Sequence, residues 1–363
     1  MSPGNVTLQI DRASHGESRL HEAGLAVLTP GQVRLRIDRF ALTANTVTYA
    51  TTGDLLGYWD FFPTGSDPWG NVPAMGWAEV VASNHPDVAP GGRYYGWFPM
   101  SRYVDMTVTP TADGLRDEGP HRAAHAPVYR AYVRTDRDPY YQPGEDAEDR
   151  HALLRGLFIT GFLAEDFFAD NDYFGAARVL VLSASSKTAL GFAHCADART
   201  GIEVIGVTSP ANHAFTHDLG CYDEVVCYED IETVPGQVPI VSIDMSGNGA
   251  VLARVHAHFG DQLRHSMAIG RSHHDAPPRA EGLPGPRPAF FFAPTQVKKR
   301  LQDWGPRGYQ ERTASAMRQF VEASHHWLTV ARSNGADAAT SIWREVHAGH
   351  VPPSTGHVVS MWD

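Results

Sequence analysis

Cysteine is scarce, with three residues in 363. Cys195, Cys221 and Cys227 cannot build a disulfide framework and form no Cys-x-x-Cys pair, so a reducing, cytoplasmic setting is expected. Long apolar runs are also missing. The stretch around Val179–Ala184 is strand-length and far too short to span a bilayer, so no membrane partner is expected. Nor is there an excess of basic charge: the net charge of −11 removes any overall attraction to nucleic acid or an anionic surface. The first residues lack the basic, apolar and small-residue series of a secretory signal. No Gly-x-Ser-x-Gly elbow and no P-loop occur, which leaves a serine hydrolase or an NTP hydrolase without local support. Histidine is abundant, with 19 residues, yet none falls in a His-Glu-x-x-His motif. The adjacent pairs His273–His274 and His325–His326 point in different directions on a helix or strand. Solvated or locally bonded histidine therefore accounts for them better than a metal site does.

What is present is an ordinary globular composition, 42% hydrophobic and 20% charged, in a chain long enough for two cores. The first 110 or so residues read as β-rich. Gly31–Asp38 alternates Val33, Leu35 and Ile37 with charged residues, and Ala78–Ala82 and Arg93–Trp97 continue the series. This pattern predicts a small barrel-like β domain. Residues 111–150 break it, being rich in Asp, Arg, Pro and Gly, and are expected to form a long ordered loop or lid whose Gly144–Asp149 run is a solvated acidic turn or helix start. From about residue 152 the character is α/β. A helix over Leu153–Phe168 precedes strands at Arg178–Ser183, Glu203–Thr208, Glu224–Cys227, Pro239–Asp244 and Leu263–Gly270, with helices interleaved. Such alternation predicts βαβ units, a parallel sheet and a doubly wound fold. After a Pro-rich loop and the apolar run Ala289–Ala293, helices are expected at Tyr309–Arg332 and Asp337–His347, then a closing strand at Gly356–Met361.

Leu42–Gly53, with Asn45 and Tyr49, then Met75–Val81, Gly91–Gly96, the turn within Val179–Gly191 and the ending Ala348–Val359 carry a resemblance. In order and pattern the chain resembles the medium-chain dehydrogenase/reductase superfamily, nearest its quinone-reductase and enoyl-reductase branch. The resemblance implies an α/β fold made of a GroES-like β-barrel domain and a Rossmann-type doubly wound parallel sheet. It places residues 1–152 and 310–363 in the first domain and 153–309 in the second. The zinc-dependent branches need a Cys/His/acid set near the start of the chain, whereas all three cysteines here lie in the α/β half, so no zinc and no other metal is expected. Related folds pair their sheets, which makes the strand at Leu263–Gly270 a candidate edge for a homodimer.

The phosphate-binding turn of such folds is glycine-rich because backbone must approach the pyrophosphate at a helix N-terminus. Here it reads Ser183-Ala-Ser-Ser-Lys-Thr-Ala-Leu-Gly191, with Ser186, Lys187 and Ala189 where glycine is usual. Ser185, Ser186 and Thr188 offer hydroxyls and Lys187 a charge-assisted donor. Two alternatives stand beside a retained phosphate site: Lys187 obstructs the turn, or Ser185 or Ser186 only caps the helix. The tip of the next strand, Thr208-Ser-Pro-Ala-Asn-His213, has no acid for a ribose diol, which favours NADP over NAD, with Thr208 and Ser209 beside the extra phosphate and Asn212 and His213 either its partners or helix-start residues.

The resemblance further gives Tyr49 and Asn45 as catalytic residues facing a nicotinamide, Thr160 beside it, and Gly270 as a last cofactor contact. Tyr49 can equally be a core tyrosine, and Tyr58, Trp59, Phe61 and Phe62 either line an apolar pocket or fill the core. The cluster Tyr129, Arg130, Tyr132 and Arg134 is either a substrate contact or a solvated loop. Lys298-Lys-Arg300 either meets a phosphate or forms a solvated helix face. The expected function is an NADPH-dependent reductase delivering hydride to an activated alkene or carbonyl of a small-molecule substrate. Non-redox lyase or C–C cleavage chemistry through Lys187, or a non-catalytic nucleotide-binding sensor, are the alternatives.

Overall fold

The computed structural model describes residues 4–269 and 282–363. The chain divides into two compact units, Met1–Leu153 with Thr329–Asp363, and Leu154–Leu328.

In the first unit, six antiparallel strands run in the order Gln32–Leu42, Pro73–Ser83, Arg93–Pro99, Ala131–Arg134, Gly114–Asp117, Tyr103–Pro110. The last pairs back onto the first, from Gln32 opposite Thr107 to Arg36 opposite Tyr103, and this closes the barrel. Val33, Leu35 and Ile37 point inward as their alternation predicts and are essentially unexposed. The loop expected over 111–150 is a correction: its segments Gly114–Asp117 and Ala131–Arg134 complete the barrel wall, burying Leu115 and Tyr132. Four-residue strands flanked by charge are too short to show a period of two.

The acidic run at 144–149 is a helix start, as one of its two readings expects, and only its first part is solvated: Glu145 and Asp146 are exposed. It opens the helix Glu145–Asp170, where acidic residues suit the positive end of the helix dipole. Glu148 and Asp149 turn inward. Arg39 donates to Asp149 at 2.6 Å and to Glu148 at 2.8 Å, Arg93 meets Glu148 at 2.7 Å, and Arg332 also pairs with Asp149. Buried carboxylates persist only when paired in this way.

Arg332 lies on a strand, not on the helix expected through it. That helical stretch runs Ala293–Ser324, broken where Gly305 takes φ 70° before Pro306, and Thr329–Asn334 pairs in parallel with the closing strand Thr355–Ser360. The closing strand joins the barrel antiparallel at Phe40–Leu42. The return of the chain to the first unit therefore falls at Thr329, not at residue 310.

The second unit holds one sheet in the order Glu224–Cys227, Glu203–Thr208, Arg178–Leu182, Ile240–Asp244, Leu263–Ala268, Ala289–Phe290, every pair parallel. Counted along the chain the order is 3-2-1-4-5-6, that of the Rossmann fold. Val179, Leu180, Val181 and Leu182 are all fully buried, as a strand covered on both faces requires. The sheet reverses direction of growth between Arg178–Leu182 and Ile240–Asp244, and ligands of such sheets bind beyond the carboxyl ends of the strands at that switch point. Of the run Ala289–Ala293 only two residues pair with the sheet, at its exposed edge. Gly270 and the pair His273–His274 lie outside the described residues. Among the described residues no helix is long and apolar enough to cross a membrane.

Candidate functional site

At the switch point, the strand Arg178–Leu182 passes through the turn Ser183–Ser186 into the helix Lys187–Ala196. Ser183 takes φ 63°, the left-handed region that favours glycine, so this tight turn is made without glycine there. Neighbours hold it in place. Ser186 N–H donates to the Ser183 carbonyl at 2.9 Å, Tyr222 donates its hydroxyl to the Ala184 carbonyl at 2.8 Å, and the Tyr228 oxygen accepts from Ser183. Ser186 is the helix N-cap, its Oγ accepting from Ala189 N–H at 3.4 Å. Capping and lining the turn are thus one arrangement.

Ser185 Oγ sits between the Thr208 hydroxyl at 3.4 Å and the Asn212 amide at 3.2 Å, which links the first turn to the tip of the second strand. Ser209 is the N-cap residue of the helix Pro210–Asp218 and makes no side-chain cap bond. His213 is drawn away: its Nε2 lies 3.1 Å from the Val225 carbonyl. Lys187, at the first helical position, is half-buried, and burial pushes its ammonium down to about 8. Thr188 follows it, half-buried.

Close packing sets where this helix starts. A Cβ on Gly161 would lie 2.5 Å from the Thr188 carbonyl oxygen and 2.6 Å from Phe192 N, so only glycine lets the helix Glu145–Asp170 approach that near. Thr160, beside Gly161, donates its hydroxyl to the Gly156 carbonyl at 2.9 Å.

Sequence reasoning missed the other bank of the switch point. Asp244 is fully buried, and its Oδ1 accepts from Ser246 N–H at 2.9 Å, Ser246 Oγ at 2.6 Å and Gly247 N–H at 3.1 Å, fixing the turn after the fourth strand. Only the strand order identifies this acid as adjacent to the turn Ser183–Ser186. Lys299 pairs with Asp170 and Arg300 with Asp166, so two of the three basic residues of that run are held in ion pairs, while Lys298 is exposed.

The first unit brings Asn45 and Tyr49 together on the helix Ala44–Thr51. Both Asn45 and the Trp97 indole hydrogen-bond the Tyr49 hydroxyl, the latter at 3.4 Å. Burial pushes the phenol well above the ordinary tyrosine range. Tyr58 packs on Tyr49 with ring centres 4.7 Å apart and on Tyr129 at 6.0 Å, while Trp97 lies 5.3 Å from Tyr129. Tyr58, Trp59, Phe61 and Phe62 are all buried in the barrel core. Tyr132 is buried too, donating to the Trp97 carbonyl at 2.8 Å, and Arg130 is tied to the Asp117 carbonyl at 2.9 Å, so this segment is wall rather than solvated loop. Among the described residues no group of three His, Cys, Asp or Glu side chains could hold a metal ion.

Ser185, Ser186, Lys187 and Thr188 stand at or just before a helix N-terminus, and no carboxylate stands at the tip of the second strand. Comparison with solved structures agrees on the fold. CurA from Vibrio vulnificus is 14% identical over 98% of both chains with a TM-score of 0.62, and its complex with NADPH gives 14%, 98% of both chains and 0.58. The quinone oxidoreductase from Coxiella burnetii is 13% identical over 98% of this chain and 99% of its own, with a TM-score of 0.55. The fold is that of the medium-chain dehydrogenase/reductases. No curated protein sequence matches the chain. Residues 40–352 match the family described as "Protein of unknown function (DUF2855)", and the chain belongs to that family.

Proposed function

We propose that this member of the DUF2855 family is an NADPH-dependent, zinc-independent reductase acting on an activated alkene or carbonyl: an enone, a quinone or an enoyl thioester. The observation that carries the reading is the 3-2-1-4-5-6 parallel sheet whose first strand leads through Ser183–Ser186 into a helix opening at Lys187. The same fold holds NADPH in CurA.

In this reading Ser185, Ser186, Lys187 and Thr188 would hold the pyrophosphate at the N-terminus of the helix Lys187–Ala196. Thr208, Ser209 and Asn212 receive the 2′-phosphate, where a carboxylate would repel it. Thr160 would stand near the nicotinamide, and Gly270, outside the described residues, would be a further cofactor contact. NADPH, when bound, supplies the hydride. Reduction moves an electron pair onto the substrate oxygen, and Tyr49 stabilises that charge by donating its O–H. Burial raises the pKa of Tyr49, so it stays protonated near neutrality and serves as donor rather than base. Asn45 fixes the phenol, and this donor stands in for the Lewis acid of zinc-dependent relatives.

The test is NADPH consumption against a panel of enones, quinones and enoyl thioesters, with Tyr49→Phe in parallel. Turnover of at least one class, reduced ~10- to 100-fold in the variant, supports the reading. Tight NADPH binding with no turnover across the panel would favour a sensor instead.

A second reading has one observation behind it. An amine held at about 8 is partly neutral under physiological conditions, as a Schiff-base nucleophile must be. Borohydride trapping of a carbonyl substrate on Lys187 would support lyase chemistry.

A further inference from the structure

In the first unit, Tyr49, Tyr58 and Tyr129 bring three phenols into one cluster. Its hydrogen bonds have a direction. The Trp97 indole N–H only donates, so at 3.4 Å from the Tyr49 hydroxyl it makes that oxygen an acceptor. Asn45, one helical turn before Tyr49, donates to the same oxygen. With its lone pairs engaged, the Tyr49 phenol has its own proton left to give. Tyr129 stands beside Tyr58, ring centres 6.0 Å apart, with the two hydroxyls paired.

Tyr58 is buried between the rings of Tyr49 and Tyr129, at 4.7 Å and 6.0 Å, which keeps the three phenols in one group. Asn45, Trp97 and Tyr129 are half-buried, so the group reaches the surface of its unit. In sequence, Tyr58 and Tyr129 are preceded by the exposed apolar residues Leu55, Leu56 and Val128, which suit the body of an apolar ligand.

We infer that Tyr49 and Tyr129 form a two-phenol site for a single anionic oxygen on an apolar conjugated ring or chain, with Tyr58 orienting Tyr129. A carbonyl oxygen has two lone pairs, and each phenol O–H addresses one. Both bonds strengthen as the oxygen becomes an enolate or a hydroquinone monoanion. The inference rests on the reductase reading for what the oxygen becomes, and favours quinones and aryl-conjugated enones within that substrate class. The site itself binds a phenolate with or without a cofactor. Tyr49 and Tyr129 would touch the substrate, while Tyr58 is a positioning residue.

The experiment titrates 4-nitrophenol, whose phenolate is read by its own absorbance, and nitrobenzene as the matched ring lacking the oxygen. The protein is used as the full chain, alone and with NADPH. Wild type should take up 4-nitrophenol as the phenolate at pH values where it is still partly neutral in solution. Tyr49→Phe and Tyr129→Phe should each weaken phenolate binding by ~10-fold or more, the range for a hydrogen bond to a charged group, and leave nitrobenzene binding unchanged. Tyr58→Phe should weaken it several-fold, less than Tyr129→Phe, and raise the apparent pKa of the bound nitrophenol. A merely structural Tyr58 would move both ligands together and leave that pKa alone.

Phenolate binding that is absent in wild type, or intact in both Tyr49→Phe and Tyr129→Phe, overturns the inference. NADPH binding, followed in the same samples by thermal shift, separates the two claims. Cofactor binding with a phenolate response that ignores Tyr129 leaves the reductase reading standing and the two-phenol site refuted. A Tyr129-dependent phenolate response without cofactor binding does the reverse.

Discussion

Lys187 offers a titration with a defined sign. Its ammonium, held down to about 8 by burial, would gain the pyrophosphate as an anionic partner, and a nearby anion favours the charged form. NADPH binding then raises the Lys187 pKa, so the complex binds the proton more tightly than the free protein does. By linkage, affinity is at its plateau below about 8 and falls as pH rises through that value. If only the protonated form grips the phosphate, the share of competent protein drops from about nine-tenths at pH 7 to about one-tenth at pH 9, a loss of ~10-fold in affinity. Phosphate monoesters have a second pKa near 6, so the cofactor itself adds little over this window. Titration of NADPH by its fluorescence at fixed ionic strength measures the effect. Lys187→Ala should bind more weakly at pH 7 and lose the slope. A wild-type affinity flat from pH 7 to 9, or an equal slope in the variant, would falsify the assignment of Lys187 to the phosphate.

Three further outcomes follow from the packing. Gly161→Ala drives a methyl into the Thr188 and Phe192 backbone at 2.5–2.6 Å, so denaturant melts should show a loss of ~1–3 kcal/mol, and NADPH should bind more weakly because the helix start is displaced. Asp149→Ala leaves Arg39 and Arg332 without their shared, fully buried carboxylate, and should cost ~3–5 kcal/mol by the same melts; an effect below ~1 kcal/mol would show that the network relaxes. His256 is buried neutral, with Nδ1 2.8 Å from the Pro284 carbonyl and Nε2 3.0 Å from Ser266 Oγ, and burial lowers its pKa from 6.5. The unfolded chain therefore takes up the proton first. Stability is complete above about 6.5 and declines as pH falls below it, and His256→Gln should make that decline shallower in melts between pH 7.5 and 5.

The order of elements was legible because long periodic segments reveal themselves. The run Val179–Leu182 announces a buried parallel strand, and Val33, Leu35 and Ile37 a half-buried one. Short strands do not. Gly114–Asp117 and Ala131–Arg134 sit among charges whose partners lie far along the chain, so their place in the barrel is visible only in three dimensions. The acidic run before Arg150 looks solvated until Arg39, Arg93 and Arg332 converge on it from three strands. The turn Ser183–Ser186 stood out by its place between strand and helix, although its composition departs from the usual glycines. Asp244 escaped notice because adjacency at a switch point is a property of strand order. Tyr129 was open to two readings, substrate contact or solvated loop, because the four-residue strand that follows it is too short to show a period.

The central claim is that the second unit holds NADPH, and thermal melts of the full chain with saturating NADPH, with NADH and with neither test it most directly. A ligand bound only by the folded state raises the midpoint by linkage, by about 2.7 kcal/mol at a hundredfold excess over its dissociation constant. The account predicts a clear rise with NADPH and a smaller one with NADH, because Thr208, Ser209 and Asn212 present no carboxylate to the ribose. An unchanged midpoint with both cofactors would contradict it.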